Sequence, residues 1–553
     1  MPRDDYIDKP YLPNRKDFHL EEGTVMKSLM KRVFAAAAAI ATVFGLAATT
    51  VATANAADNA TLTVSTTDAK FAGKTVNAYK MFSATVSGDG KAVSYTLTDE
   101  WKPFFKNSVG LTGVTDENVN DKANDYVSKL KDSTLVAFAT KASNWAQTKA
   151  NNITADATAT VSADASNGKY TATFTGLGYG YYVVAVPGAT LANAKSQYAT
   201  LVSVHSTKVD ADIKGDLPTV DKKVQVDGTG KDATDAKIGD TLTFTLTSTI
   251  PDMSAYDTYT FNFKDTLSKG LTFGQVKSVK VENVTLTENT DYTVTTPTAS
   301  NNNTLTVAMK DFKTKQQANA GKKITVTYTA TLNENAVVGG AGNVNSAKIQ
   351  YSNNPSTNGT GESEPSKVRV FTYGFTVDKY TGDQYTDAAT RLAGAEFTLA
   401  HKDGSAISFV QVSAGSATAN AVYRVAKAGE TGTTTITTPA NGKVVFEGLK
   451  NGEYTLTETK APAGYNKLAS AIGVKVNGQN NGTDTTNATV TITYNNDNGN
   501  DYNQTASNGV IPVQNKSGAI LPGTGGMGTI AFTVIGVLVI ALGVAWTLKR
   551  KNA

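Results

Sequence analysis

Two regions of this 553-residue chain present an amine, a carboxyl and a carboxamide on apolar strand faces, each time in the same order. In a β-strand, residues i, i+2 and i+4 share one face. Val220, Lys222 and Val224 line up in this way, as do Phe261, Phe263, Asp265 and Leu267, and then Ile349, Tyr351 and Asn353. Further along the order recurs in Phe375, Val377 and Lys379, in Tyr454, Leu456 and Glu458, and in Ile511, Val513 and Asn515. A lone strand lysine usually faces solvent, and a lone inward Asn is usually a satisfied core group. The repetition of the order is what sets these six apart.

Burial disfavours the charged form of each group, lowering a lysine's pKa and raising a carboxyl's. A neutral amine is a nucleophile, and a protonated carboxyl can donate to the Asn side-chain oxygen and polarise that carbonyl. Attack on the carboxamide expels ammonia and leaves a Lys–Asn isopeptide bond. Proximity in a dry core supplies much of the acceleration, so no external enzyme is required. The chemistry is autocatalytic and single-turnover. Asp265 and Glu458 are the expected acids, and Lys222–Asn353 and Lys379–Asn515 the expected joined pairs. Lys223 stands as an alternative to Lys222, and Asn343, Asn345 and Asn354 as alternatives to Asn353.

The elements that must hold these residues are strands. Residues 57–516 are rich in Thr, Val, Asn and Gly and contain many short alternating runs, such as Leu242-Thr243-Phe244-Thr245-Leu246 and Ile324-Thr325-Val326-Thr327-Tyr328. Asn-Gly pairs at 441–442, 451–452 and 477–478 are hairpin signals. This spacing predicts antiparallel sandwiches. One region departs from it: Tyr126, Val127, Leu130, Leu135, Phe138, Ala139 and Ala142 follow helical spacing. Fresh strands begin after Leu217-Pro218 and Glu364-Pro365. The expected fold is therefore mostly β, with three tandem Ig-like sandwiches at 57–216, 217–366 and 367–516, the first carrying helical insertions.

Composition removes other classes. The chain has no Cys, which excludes thiol nucleophiles, disulfides and Cys-based zinc sites. Its three His (His19, His205, His401) are scattered, giving no basis for a His metal cluster or a Ser/His/Asp triad. No metal or cofactor is expected. Residues 57–524 carry 42 basic and 42 acidic side chains, so no nucleic-acid partner is implied.

The two ends carry addresses. Met26–Arg32 is basic, the run from Val33 to Ala48 is apolar, and Ala54-Asn55-Ala56 follows. That order predicts a secretory signal cleaved after Ala56, so 1–56 is a signal peptide with a polar N-terminal extension. In 517–553, the stretch from Ile530 to Leu548 has 19 residues and no charge, long enough as a helix to cross roughly 30 Å of hydrocarbon. Lys549-Arg550-Lys551 would hold the C-terminus in the cytoplasm. Just before this span, Leu521-Pro522-Gly523-Thr524-Gly525 resembles the LPxTG sorting signal of Gram-positive surface proteins. The resemblance implies that a sortase cleaves between Thr524 and Gly525 and passes the Thr carbonyl to an amine.

Other motifs resemble a particular family. Tyr454-Thr455-Leu456-Thr457-Glu458-Thr459-Lys460-Ala461-Pro462-Ala463-Gly464-Tyr465 is similar to the YxLxETxAPxGY acid box of CnaB-type pilin domains, which implies Glu458 as acid with Lys379 and Asn515 as the joined pair. Pro218–Val224, Asp265–Leu271 and Tyr351–Pro355 resemble the CnaA-like middle domain of major pilins. Gly176–Val184 resembles the matching strand of CnaB-like folds without the acid, so no internal crosslink is expected in the first module, which should be the labile one. As a whole the chain is similar to the major (backbone) pilins of sortase-assembled Gram-positive pili. That resemblance implies a structural pilus subunit and not a turnover enzyme. Lys208, in Val202-Ser203-Val204-His205-Ser206-Thr207-Lys208, would be the inter-subunit amine, with Lys214 in reserve. The implied partners are a pilus-specific and a housekeeping sortase, identical subunits, tip or accessory pilins, and peptidoglycan. A monomeric wall-anchored adhesin for host matrix or glycan is the second reading.

Overall fold

The computed structural model describes residues 59–164, 168–189, 199–355, 357–383, 390–479, 488–496, 501–518 and 527–551. Strands dominate, and they assemble into three successive pairs of sheets. Strands of the first pair lie between Ala60 and Asp212, those of the second between Asp221 and Phe371, and those of the third between Tyr373 and Gln514.

In the first pair, Ala60–Thr66 lies between Lys169–Leu177 and Lys208–Asp212, while Thr75–Val86 is the centre of the other sheet. The helical spacing noted above falls on Val119–Ser128 and Asp132–Gln147, and a shorter helix spans Lys102–Asn107. Val127, Phe138, Ala139 and Ala142 are buried. These helices form an aromatic core with one sheet, around Phe82, Trp101, Phe104, Phe105 and Tyr181. A separate core around Leu62, Phe71, Val76 and Phe174 lies elsewhere in the same domain.

The middle and third pairs share one continuous apolar cluster. Their junction is close because Gly448 has φ +83 and no side chain: a Cβ there would lie 2.7 Å from Cδ1 of Ile238. The backbone N–H of Ile238 donates to the Gly448 carbonyl at 3.0 Å, and Asn451 donates to Asp235 from its backbone at 2.7 Å and its side chain at 3.1 Å. Polar contacts join the first domain to the middle one, including Asn144 to Ser254 at 2.8 Å and the Thr148 hydroxyl to the Ala255 carbonyl at 3.3 Å.

A final helix runs from Met527 to Lys551 and contains the charge-free stretch. The side chains described in it are 533–547 and 550, and most are exposed, Leu538, Ile540 and Leu542 among them. The consecutive side chains described in this helix, 533–547, are fewer than the roughly 17–25 residues a membrane crossing takes.

Candidate functional site

In the middle domain, strand alternation turns Lys222 of Asp221–Val226 and Tyr328 of Lys323–Leu332 toward the interior of one sheet. Thr241–Thr249 lies between these strands, pairing Leu246 with Lys222 and Phe244 with Tyr328. The other sheet brings Phe261–Leu267 beside Asn343–Ser352, with Asp265 opposite Ala347 and Leu267 opposite Asn345. Lys222, Asp265, Tyr328 and Asn345 meet between the sheets, each 0% exposed.

The contacts are specific. Lys222 Nζ is in direct contact with Asp265 Oδ2 and donates to the Tyr328 hydroxyl at 2.9 Å. That hydroxyl donates to Asp265 Oδ2 at 2.6 Å and accepts from Asn345 Nδ2 at 2.6 Å. Nζ also lies 5.1 Å from the ring centres of both Phe244 and Tyr328. Asp265 Oδ1 and Asn345 Oδ1 have no hydrogen-bond partner, an expensive condition for buried oxygens. Burial pushes the Lys222 ammonium down to about 8, against the opposing pull of the Asp265 charge.

The amide in this cluster is Asn345, and the expectation of Asn353 is corrected. The two share strand parity, so alternation alone cannot separate them. Register does: Asp265 faces Ala347, and Asn353 lies six residues beyond, roughly 20 Å along the strand at ~3.3 Å per residue. It is only half-buried and abuts the first domain, where a Cβ on Gly188 would sit 3.0 Å from its Cα. Of the other candidates, Asn343 is buried but occupied with the backbone of Val337 and Val370, and Asn354 is half-buried. Lys223 points away from the core and pairs with Asp221 and Asp232. Tyr328 went unnoticed in the sequence, although Ile324, Val326 and Tyr328 share the inward face and a buried phenol needs a partner.

The third domain assembles Lys379, Glu458 and Asn515, all buried. Lys379 lies on Tyr373–Tyr380, which pairs in parallel with Val510–Gln514, Lys379 facing Val513. Asn515 follows directly, its backbone N–H bound to the Tyr380 carbonyl at 3.0 Å. Glu458, on Gly452–Lys460 of the other sheet, reaches both partners: Oε1 is 3.2 Å from Lys379 Nζ, and Oε2 accepts from Asn515 Nδ2 at 3.0 Å. Backbone groups complete the frame. The Leu468 N–H donates to Glu458 Oε2 at 2.8 Å, Asn515 Nδ2 donates to the Asn466 carbonyl at 2.8 Å, and Lys379 Nζ to the Val513 carbonyl at 3.3 Å. Asn515 Oδ1 has no partner, and Glu458 Oε1 meets Lys379 Nζ as an ion pair without the geometry of a hydrogen bond. Burial again lowers the lysine to about 8, opposed by the Glu458 charge.

In both sites an amine contacts a carboxyl in a dry core; the amide nitrogen bonds to that carboxyl in the third domain and to Tyr328 in the middle one, and the amide oxygen is left ready to accept a proton or hydrogen bond. Transfer of one proton from ammonium to carboxylate across either contact produces the neutral nucleophile and the acid that attack on Asn Cγ requires.

The first domain offers a contrast. Lys70 pairs with Asp216 and Asp68; burial acts to lower its pKa, but the bonds to those carboxylates outweigh this and hold it above the usual lysine range. It remains an ammonium in an ion pair. Lys208 begins Lys208–Asp212, beside Thr61 of the first strand. It is exposed, whereas Lys214 is half-buried and 3.3 Å from Asp212. Ala56 and the motif Leu521, Pro522, Gly523, Thr524 and Gly525 lie outside the described residues.

Comparison with known proteins bears on the middle and third domains. Residues 238–355 match the family model described as Gram-positive pilin backbone subunit 2, Cna-B-like domain, where the sequence resemblance was to a CnaA-like domain. Residues 383–491 match the SpaA prealbumin-like fold domain. The "Trypsin-resistant surface T6 protein" of Streptococcus pyogenes serotype M6 is 26% identical over 279 residues, 46% of this chain and 44% of that protein. The chain thus aligns with less than half the length of this curated relative. Among solved structures, the T6 backbone pilin of S. pyogenes gives a TM-score of 0.44 at 18% identity, covering 83% of this chain and 99% of that one. The full-length major pilin SpaD from Corynebacterium diphtheriae gives 0.38 at 20%, covering 84% and 98%. Two stretches of the chain thus match domain families, one of them described as a Gram-positive pilin backbone subunit, and the curated relative is a surface protein.

Proposed function

We propose that this chain, built on pilin-backbone domains, is the shaft subunit of a covalent surface pilus, and that its middle and third domains weld themselves shut. The observation that carries the reading is the pair of buried clusters, Lys222–Asp265–Asn345 and Lys379–Glu458–Asn515, in the two domains of which residues 238–355 match a pilin-backbone family and residues 383–491 a SpaA prealbumin-like one. Each lysine attacks its Asn, ammonia leaves, and an isopeptide bond closes a loop of well over 100 residues. Treated like a disulfide, such a closure stabilises the fold by about 4–5 kcal/mol through the unfolded chain. The relative's name records trypsin resistance in a surface protein, a property that such ties would confer.

Polymerisation uses a different amine. A sortase cleaves after Thr524, and the exposed Lys208 amine of the next subunit, once it has given up a proton, attacks the acyl-enzyme and displaces the sortase, giving a head-to-tail polymer that ends on peptidoglycan. Exposure, and the absence of an ion pair to Lys208 among the described residues, favour it over Lys214. The test is a surface extract resolved in SDS: the wild type gives high-mass ladders, and Lys208→Ala collapses them to monomer while Lys214→Ala does not. Ladders surviving in Lys208→Ala overturn the linkage. Their absence from the wild type favours a monomeric wall-anchored adhesin.

A further inference from the structure

Two protons must leave Lys222 Nζ as an ammonium becomes an amide nitrogen. The first has an acceptor in direct contact, Asp265 Oδ2. The second has to reach Asn345 Nδ2, which departs as ammonia only when it carries a third hydrogen. In the third domain one group spans this path, because Glu458 touches the amine with one oxygen and the amide nitrogen with the other. Asp265 is one methylene shorter. Its Oδ2 serves Lys222 and Tyr328, its Oδ1 has no partner, and Asn345 Nδ2 bonds to the tyrosine instead. The Tyr328 oxygen is 2.9 Å from Nζ and 2.6 Å from Nδ2, both within proton-transfer reach.

We propose that Tyr328 is a catalytic residue of the middle domain, a proton shuttle that carries hydrogen from the attacking Lys222 amine to the leaving Asn345 nitrogen. The inference rests on the self-welding reading above. As Nζ bonds to Asn345 Cγ, Nδ2 loses amide conjugation and its lone pair becomes basic. Tyr328 then gives its hydrogen to Nδ2 and takes one from Nζ, ending as it began. The Cγ–Nδ2 bond breaks, ammonia leaves with the hydrogen relayed from Nζ, and Asp265 holds the first proton until solvent or the departing ammonia removes it. Burial and the Asp265 charge hold the phenol well above its ordinary pKa, so it enters the reaction as a donor. Stacking on Phe244, at 5.3 Å between ring centres and 19° between planes, fixes the ring. An aspartate with a tyrosine thus does the work of the single glutamate in the neighbouring domain.

The test is cell-free synthesis of the full chain, with peptide mapping at intervals for the Lys222–Asn345 and Lys379–Asn515 branched peptides. Tyr328→Phe should slow the first by about 10²-fold or more and leave the second at its wild-type rate, which also reports that the chain has folded. Formation of the middle bond at the wild-type rate in Tyr328→Phe overturns the shuttle. A second arm replaces tyrosine throughout with difluorotyrosine, which keeps the hydroxyl but makes it more acidic. The middle-domain rate should shift while the third-domain rate does not; equal response of both sites, or of neither, overturns the proposal. Absence of the Lys222–Asn345 peptide from the unsubstituted chain removes the underlying reading as well, whereas a normal bond rate in Tyr328→Phe removes the shuttle alone.

Discussion

The middle and third domains reach the same juxtaposition through different architecture. In the third, Lys379 and Asn515 belong to adjacent parallel strands of one sheet, the first and last of the domain, with Glu458 bridging them from the other sheet. In the middle domain, Lys222 and Asn345 come from opposite sheets, and a strand of the same domain, Ser366–Phe371, still follows Asn345. That strand pairs with the amide-bearing one, Asn345 opposite Val368. A bond from 379 to 515 would enclose nearly the whole third domain, whereas one from 222 to 345 leaves a C-terminal hairpin outside the tie. What has to be maintained is the contact between amine, acid and amide; topology is free to vary, and with it the path that force takes.

The largest effect expected is all-or-none and separates the sites. Asp265→Ala should abolish the middle bond and spare the third, and Glu458→Ala should do the reverse, so the intact mass of each variant shows one ammonia lost where the wild type shows two. Retention of both losses in either variant would mean that the acids are not required. Under tension the domains should differ in extension. Pulling the bonded chain from its ends should release the residues after Asn345 through Phe371 from the middle domain, at most about 80 Å at ~3.3 Å per residue, and nothing comparable from the third. A silent middle domain in single-molecule traces would show that the hairpin carries no load.

In denaturant the two ties should weigh alike, because loop length enters only logarithmically. Asn345→Ala and Asn515→Ala should each lower stability by about 4–5 kcal/mol, and a much smaller loss in either would indicate that its bond does not form. A further effect is a pH dependence in the doubly unbonded Asn345→Ala/Asn515→Ala chain. Its folded lysines titrate near 8 because burial disfavours the ammonium, but near 10.5 when unfolded. Between those values the unfolded state binds more protons, so stability should rise from pH 8 to 10.5 and be flat below. In the bonded wild type these amines no longer titrate and the rise should vanish, as urea midpoints across that range would report.

Much of this was legible in residue order. Alternation put Lys222, Asp265, Lys379, Glu458 and Asn515 on inward faces, because a period of two is local to each strand. The helices of the first domain followed from the spacing of Val127, Phe138 and Ala142. Asn345 was not separable from Asn353, since choosing between residues of equal parity needs the register against Phe261–Leu267, which is set by long-range pairing. Tyr328 was hidden for another reason: a tyrosine on an apolar face reads as ordinary core until the groups at its hydroxyl are known.

The most direct measurement of the central claim is tryptic mapping of the purified mature chain by tandem mass spectrometry. Two branched peptides are predicted, one joining Lys222 to Asn345 and one joining Lys379 to Asn515, each lighter by one ammonia than its separate arms. Recovery of Lys222 and Lys379 only in unbranched peptides would contradict the account.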